Sequence, residues 1–317
     1  MPLSPAWEAI QRSGYYRGMA NVASPPASSA FNAWLLAARP KTLPAALSPV
    51  VIGSAVGLAE GGFDLLVAIA AIAVALLLQI GANFANDVAD FRSGADTEHR
   101  LGPTRVTQSG LLSPRQVEMA TAVTLALAAI PGLYLVWRGG WVFAVAGLLA
   151  IGAAVAYTAG PAYGYVGLGD IAVFLFFGPV AVAGTAYLMT HQLTKLALLS
   201  SIPMGCLITA ILVVNNLRDI ETDRAAGKMT LAVRLGRGGA RAEYALLLAL
   251  SYVVPVAVWV SGLASFWVLL SFVTVPLAVV MLRRVRDQEG RALNPVLAGT
   301  ARLCLFFAVA YAVGIVL

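Results

Sequence analysis

The apolar run LLVAIAAIAVALLLQIGANFA at residues 65–85 is followed at once by Asn86-Asp87-Val88-Ala89-Asp90. A helix needs about 20 apolar residues to cross the roughly 30 Å hydrocarbon core of a bilayer. Because lipid cannot hydrogen-bond an exposed backbone, we expect the run to be a helix. The stretch therefore predicts a transmembrane helix with amide and carboxylate side chains at its end.

The rest of the chain is also rich in apolar residues. Of the 317 residues, 60% are hydrophobic and 11% are charged, whereas soluble domains carry about 25% charge. This composition excludes an ordinary soluble enzyme and a disordered chain. We predict an all-α integral membrane protein with nine transmembrane helices. Their predicted ranges are 43–58, 65–85, 117–136, 141–158, 168–189, 196–214, 244–260, 265–281 and 296–316.

The distribution of basic residues predicts the orientation. With the N-terminus in the cytoplasm, nine spans place every lysine and arginine except Arg138 and Lys195 on the cytoplasmic side, as the positive-inside rule requires. The net charge of +6 then reflects topology and attraction to anionic lipid, not nucleic-acid binding. Residues 1–38 are predicted to form a mobile cytoplasmic tail, with a surface helix around residues 7–16.

A second polar segment follows the sixth predicted span. It runs from Asn215 through Asp219 and Asp223 to Lys228, four spans after Asn86, which suggests a parallel repeat. In both segments the amide and acidic residues stand four apart, so each set is expected on one helix face. Gathered carboxylates repel one another, and all-oxygen ligands suit Mg²⁺. A solvated helix end would explain one such segment, but two matching segments favour a metal site.

Basic residues accompany both acidic segments. Arg92, Arg105 and Lys228 would bind the phosphate oxygens that a metal leaves free, although each also fits the positive-inside pattern. The combination predicts a magnesium–diphosphate site with a lipid tail between the helices. Ionisation of an allylic diphosphate produces a cation that aromatic rings stabilise. The candidate rings are Tyr157, Phe174, Phe176 and Phe177, although ordinary packing inside the bundle is the favoured explanation for each of them.

Asn-Asp-x-x-Asp at 86–90 and Asn-Asn-x-Arg-Asp-x-x-x-Asp-x-x-x-Gly-Lys at 215–228 are similar to the two signature segments of the UbiA superfamily of intramembrane prenyltransferases. The resemblance covers the chain from about Arg39 to its C-terminus. It is closest to the menaquinone branch, whose acceptor is 1,4-dihydroxy-2-naphthoate. The segments that resemble this branch are 39–44, 102–110, 157–161, 167–170, 176–179 and 228–236.

The resemblance implies a fold, a cofactor and a set of site residues. The fold is a nine-helix domain at 39–317 around a central cavity capped by cytoplasmic loops. The metal set would be Mg²⁺ on Asn86, Asp90, Asn215, Asp219 and Asp223, with Asp87 and Asp96 nearby. The superfamily places another acid where Gly94 stands, and Asp96 is expected to substitute for it. The residues expected to be catalytic are Asp90, Asp219, Asp223 and Lys228.

The acceptor pocket is expected to include Lys41, Tyr157, Asp170 and Phe177. Lys41 binds the acceptor's carboxylate or sits at the headgroup level, and Asp170 lines the pocket or caps the fifth span. The implied reaction transfers a polyprenyl group from its diphosphate to 1,4-dihydroxy-2-naphthoate with loss of CO₂, giving demethylmenaquinol for menaquinone biosynthesis in the bacterial cell membrane. Alternatives are another acceptor, 4-hydroxybenzoate or homogentisate, and a secondary transporter. Transporter acids, however, lie near the membrane midplane.

Overall fold

The computed structural model describes residues 27–94, 101–160 and 162–317. Within these ranges the chain is all helical, with no β-strand. The predicted surface helix near residues 7–16 and the predicted ligand Asp96 lie outside the described residues. The helices are α1 Ala27–Ala38, α2 Leu43–Ala59, α3 Leu65–Arg92, α4 Pro114–Gly139, α5 Trp141–Ala156, α6 Gly169–Thr190, α7 Lys195–Arg218, α8 Ile220–Ala225, α9 Leu231–Val260, α10 Phe266–Asp287 and α11 Asn294–Val316.

The predicted fold class is confirmed. In the described part of the chain, eight helices are long and apolar enough to cross a membrane, α1 and α2 counting as one. The remaining predicted span, 141–158, corresponds to α5, which is apolar but has 16 residues, about 24 Å of helix. Residues 27–38 of the predicted tail form α1, which packs beside α3 through an edge-to-face contact between Trp34 and Phe84.

The helix ends follow local sequence signals. Asp64 begins α3 by accepting hydrogen bonds from the amides of Leu66 and Val67, at 2.9 and 3.1 Å. Ser113 and Gln116 form a capping box at the start of α4. The helix α6 widens to a π-helix over Phe176–Ala183, a rare form that often marks functional sites.

The most buried span is α7, which packs against α9, α6 and α11. Packing between membrane helices relies on small residues and on hydrogen bonds, because lipid is as apolar as the side chains. A Cβ atom on Gly314 would overlap the Trp267 carbonyl oxygen, so only glycine allows α11 and α10 to approach this closely. Buried hydroxyl pairs add polar contacts, such as Ser200 with Tyr311 at 3.1 Å.

The two polar segments lie at one end of the bundle. They follow from the ends of α3 and α7, and both line the mouth of one central cavity. The C-terminal Leu317 lies at the opposite end, beside Glu60 and Lys195. The second polar segment and the C-terminus therefore lie at opposite ends, which agrees with an odd number of crossings between them.

Candidate active site

A cavity of about 920 Å³ opens between α2, α3, α4, α5, α6, α7 and α11. Its deeper wall is apolar and rich in alanine, with Phe143 and Leu188 at depth. Its mouth is charged and carries the residues of both polar segments. A cavity with an apolar interior and a charged mouth suits an amphipathic ligand with a compact polar head.

Three side chains contact the Asp90 carboxylate at the mouth. It is 3% exposed and forms ion pairs with Arg105 and with the Lys228 ammonium, whose nitrogen lies 3.0 Å from Oδ1. The Tyr165 hydroxyl donates to the same Oδ1 at 2.5 Å. Burial and the Asp90 carboxylate raise the pKa of Tyr165, so its hydroxyl stays protonated as a donor. One turn earlier, Asn86 accepts a hydrogen bond from Thr158 at 2.9 Å.

Asp87 points to the other side of α3, because successive helix residues are rotated by about 100°. Its two carboxylate oxygens accept hydrogen bonds from the backbone amides of Val106 and Thr107, at 3.2 and 3.1 Å. Asp87 is 1% exposed. It therefore anchors the loop that carries Arg105 to the site.

The second polar segment is organised by Arg218, which is 3% exposed. Its guanidinium contacts both carboxylate oxygens of Asp219, at 2.8 and 2.5 Å, and donates to the side-chain oxygens of Asn215 and Asn294, each at 2.9 Å. Asp223 follows one turn later and lines the cavity. Burial raises the pKa of Asp223 to about 7; Lys228 opposes this shift, whereas the carboxylates of Asp219 and Asp90 add to it.

Comparison with known proteins identifies the family. The model of the UbiA prenyltransferase family matches residues 46–309, which is most of the chain. This chain belongs to the UbiA prenyltransferase family. Two of its relatives are 1,4-dihydroxy-2-naphthoate octaprenyltransferases. The protein from Escherichia coli is 40% identical over 90% of this chain and 95% of its own, and the protein from Mycobacterium tuberculosis is 42% identical over 90% and 97%.

Solved structures of UbiA homologues share the fold. The apo homologue from Aeropyrum pernix K1 superposes with a TM-score of 0.67 at 18% identity, over 86% of this chain and 97% of that one. A homologue from Archaeoglobus fulgidus bound to DMAPP and Mg²⁺ superposes with a TM-score of 0.59 at 17% identity, over 88% and 99%. The helical architecture of this UbiA chain therefore matches that of solved UbiA proteins.

Most of the predicted site residues of this UbiA chain line its cavity. The lining includes Lys41, Asn86, Asp90, Arg105, Tyr157, Phe176, Phe177, Asn215, Asp219, Asp223 and Lys228. Other predicted residues lie elsewhere. Arg92 pairs with Glu118 and its side chain is 62% exposed. Phe174 packs against Gly205 of α7. Asp170 is buried at the start of α6.

Several polar residues around the cavity were not predicted from the sequence. Arg218 and Tyr165 contact predicted ligands, as described above. Gln79 and Thr42 line the wall next to Lys41, and the amide of Gln79 lies 3.4 Å from the Thr42 hydroxyl oxygen. Asn83 also donates to this oxygen, at 3.1 Å. The only sequence signal for Gln79 was a polar residue inside an apolar run, seven positions or about 10 Å of helix before Asn86.

The oxygen donors at the mouth fit a magnesium ion whose coordination shell is completed by the substrate. Within residues 27–94, 101–160 and 162–317, no three His, Cys, Asp or Glu side chains form a group that could hold a metal alone. Mg²⁺ usually takes one or two carboxylates and completes its shell with water and phosphate oxygens. The carboxylates at the mouth come with the amide oxygens of Asn86 and Asn215, so hard oxygen donors are present.

Proposed function

We propose that this protein transfers a polyprenyl group from polyprenyl diphosphate to 1,4-dihydroxy-2-naphthoate, with loss of CO₂, to give demethylmenaquinol for menaquinone biosynthesis. The observation that carries the chemistry is the cavity with an apolar interior and, at its mouth, Asp90 between Arg105 and Lys228. The naphthoate acceptor is supported by the similarity to the octaprenyltransferases from E. coli and M. tuberculosis over nearly their full lengths.

Arg105 and Lys228 would bind the diphosphate. Both line the cavity mouth, and both reach the same carboxylate from different loops. Cations fixed in a site of low dielectric stabilise the charge that develops on a leaving diphosphate better than mobile ions in water do. Arg218 would act indirectly, because its contacts orient Asn215 and Asp219.

We assign magnesium to Asn86, Asp90, Asn215, Asp219 and Asp223. When bound, Mg²⁺ would neutralise diphosphate oxygens and favour departure of the leaving group. Asp87 belongs to the support of this site, because both of its oxygens already accept backbone hydrogen bonds. Burial is the main cause of the raised pKa of Asp223, and repulsion from the Asp219 and Asp90 carboxylates adds to it, a repulsion that a bound cation would relieve.

The prenyl chain would lie in the alanine-rich interior of the cavity. Its allylic carbon would then be near the mouth, where Tyr157, Phe176 and Phe177 present aromatic surfaces. The Tyr157 ring makes an edge-to-face contact with Tyr163, with 5.4 Å between the ring centres. Asp170, which the resemblance assigned to the acceptor pocket, is buried in the first turn of α6.

The acceptor would bind along the polar wall at Lys41, Thr42 and Gln79. Lys41 would pair with the carboxylate, and the Gln79 amide would hydrogen-bond a ring hydroxyl. Attack of the electron-rich ring on the allyl cation at the carbon that bears the carboxylate would form the new carbon–carbon bond there. Loss of CO₂ then restores aromaticity without a base to remove a ring proton.

We place the protein in the bacterial inner membrane. The N-terminus and both polar segments would face the cytoplasm, and the C-terminus would lie outside. The lysines and arginines cluster at the polar end of the predicted topology, as the positive-inside rule requires.

The experiment is an assay of purified protein with polyprenyl diphosphate, Mg²⁺ and carboxyl-labelled 1,4-dihydroxy-2-naphthoate. Label should appear as CO₂ in step with prenyl transfer, and only when Mg²⁺ and the diphosphate are present. The control acceptor is 4-hydroxybenzoate, whose carboxylate is remote from the carbon attacked. Faster turnover of 4-hydroxybenzoate to a product that keeps its carboxylate would overturn the choice of acceptor and leave the family assignment intact.

A further inference from the structure

The connection between α5 and α6 forms a third wall of the site, separate from both polar segments. It contains a short 3-10 turn, Tyr163–Val166, at the cavity mouth. Thr158, at its start, donates to Asn86 of the first polar segment. The Tyr165 carbonyl accepts a hydrogen bond from the Met229 amide, beside Lys228 of the second, at 2.7 Å. This connection therefore joins the two polar segments.

Tyr165 makes two different side-chain contacts across this joint. Its hydroxyl donates to Asp90 Oδ1 at 2.5 Å. The Lys228 ammonium lies 4.4 Å from the centre of its ring, within the range of a cation–π interaction. Lys228 also lies 3.0 Å from the same Asp90 oxygen. The three side chains thus form a closed triangle whose corners come from three parts of the chain.

A free lysine side chain has four rotatable bonds, so it holds its charge at one point only where neighbours restrict it. Here the ring lies against one side of the ammonium, and the carboxylate contacts another. The Lys228 side chain is 12% exposed, so water does little to replace these contacts. The position of the ammonium is therefore set largely by Tyr165 and Asp90.

We propose that Tyr165 is a positioning residue for the diphosphate subsite. Its ring fixes the Lys228 ammonium and its hydroxyl fixes the Asp90 carboxylate, so that both face the place where the diphosphate binds. This inference rests on the proposed function, because it takes a diphosphate as the ligand of Lys228. It assigns a role to the connection between α5 and α6 that neither polar segment can supply alone.

Two substitutions separate the two contacts. Tyr165→Phe removes the hydroxyl and keeps the ring, whereas Tyr165→Leu removes both. The probe is inorganic diphosphate with Mg²⁺, and calorimetry on the detergent-solubilised full chain gives its Kd. We expect Tyr165→Phe to weaken binding about tenfold, since hydrogen bonds to charged groups are strong. Tyr165→Leu should weaken it a further threefold to tenfold through loss of the ring contact.

The decisive measurement compares Tyr165→Phe with Tyr165→Leu in a Lys228→Met background. The ratio of their Kd values gives the contribution of the ring. If the ring acts through Lys228, this ratio should fall to about one in that background, because a double-mutant cycle isolates the pairwise contribution. The control is Tyr163→Phe, which removes a hydroxyl bonded to the Ala153 carbonyl at 3.0 Å in the same connection. Its Kd should stay within twofold of the wild type.

Thermal unfolding checks that each variant is folded, and Tyr165→Met replaces Tyr165→Leu if the latter is not. Binding within twofold of wild type for both Tyr165 variants would overturn the proposal. A ring contribution that persists at full size without Lys228 would also overturn it. A wild-type protein that shows the coupling but transfers no prenyl group to any aromatic acceptor would refute the proposed function and leave the role of Tyr165 standing.

Discussion

Replacing Asp87 tests whether this acid anchors a loop or binds a metal. The sequence pattern groups it with the metal ligands, whereas its carboxylate accepts hydrogen bonds from Val106 and Thr107. In Asp87→Asn the amide oxygen still accepts one of these bonds, but the NH₂ group faces the second amide. A hydrogen bond to a charged group contributes about 1.5–3 kcal/mol. Losing one should therefore destabilise the loop locally by about that amount.

Hydrogen–deuterium exchange of the Val106 and Thr107 amides measures this loss of local stability directly. A factor of ten corresponds to about 1.4 kcal/mol, so exchange should accelerate roughly 10- to 150-fold. Prenyl transfer should fall with it, because the same loop holds Arg105 against Asp90. The apparent Kd for Mg²⁺ should change little at saturating diphosphate.

Asp64→Asn is the matched control. Asp64 also accepts two backbone hydrogen bonds, at the opposite end of the same helix, and asparagine is an equally good N-cap. This variant should leave both the exchange of the 101–110 loop and the activity near wild type. The anchoring role is refuted if Asp87→Asn leaves exchange at Val106 and Thr107 unchanged while Mg²⁺ binding weakens at least tenfold.

Three further outcomes are expected. Asp219→Ala should lower prenyl transfer at least about 100-fold with the protein still folded, because it removes an oxygen donor from the mouth. Excess chelator should have the same effect on the wild type by removing the metal, and near wild-type rates would contradict the metal assignment. Ser93→Cys should react with a membrane-impermeant thiol reagent only from the cytoplasmic face. Labelling from the outside of intact cells would show that the predicted orientation is wrong. Gly314→Ala, whose new methyl group would overlap the Trp267 carbonyl oxygen, should destabilise the protein by about 1–3 kcal/mol in thermal unfolding, whereas Gly147→Ala, with open space around it, should not.

The spans could be predicted because hydropathy alone decides which segments cross a bilayer, but the helix ends could not. The helix α3 continues to Arg92, beyond the predicted end at Ala85, because its backbone hydrogen bonds continue where the apolar side chains stop. The helix α9 likewise begins at Leu231, well before the predicted Tyr244, and is kinked at Gly236, whose φ of 70° is not helical. Its first part is rich in arginine, so a hydropathy criterion does not identify this part as a transmembrane span.

The site was predictable where its residues share one helix face. Spacing by four placed Asn86 with Asp90, and both line the cavity. The adjacent Asp87 was grouped with them by residue type, although neighbours on a helix point in different directions. Tyr165 was not identified, because it reaches Asp90 from 75 positions along the chain and no local pattern reports that contact.

The ion pairs of Asp90 have a consequence for turnover. Without substrate, this carboxylate forms ion pairs with Arg105 and Lys228 and partly neutralises their charge. In the proposed reaction an arriving diphosphate would exchange with this carboxylate instead of meeting two unneutralised cations, so the net gain in binding would be smaller than two new ion pairs would give. After transfer the same exchange would run in reverse, with Asp90 pairing again with Arg105 and Lys228 as the product diphosphate leaves. The mouth of the cavity would thus limit its own affinity for the product diphosphate.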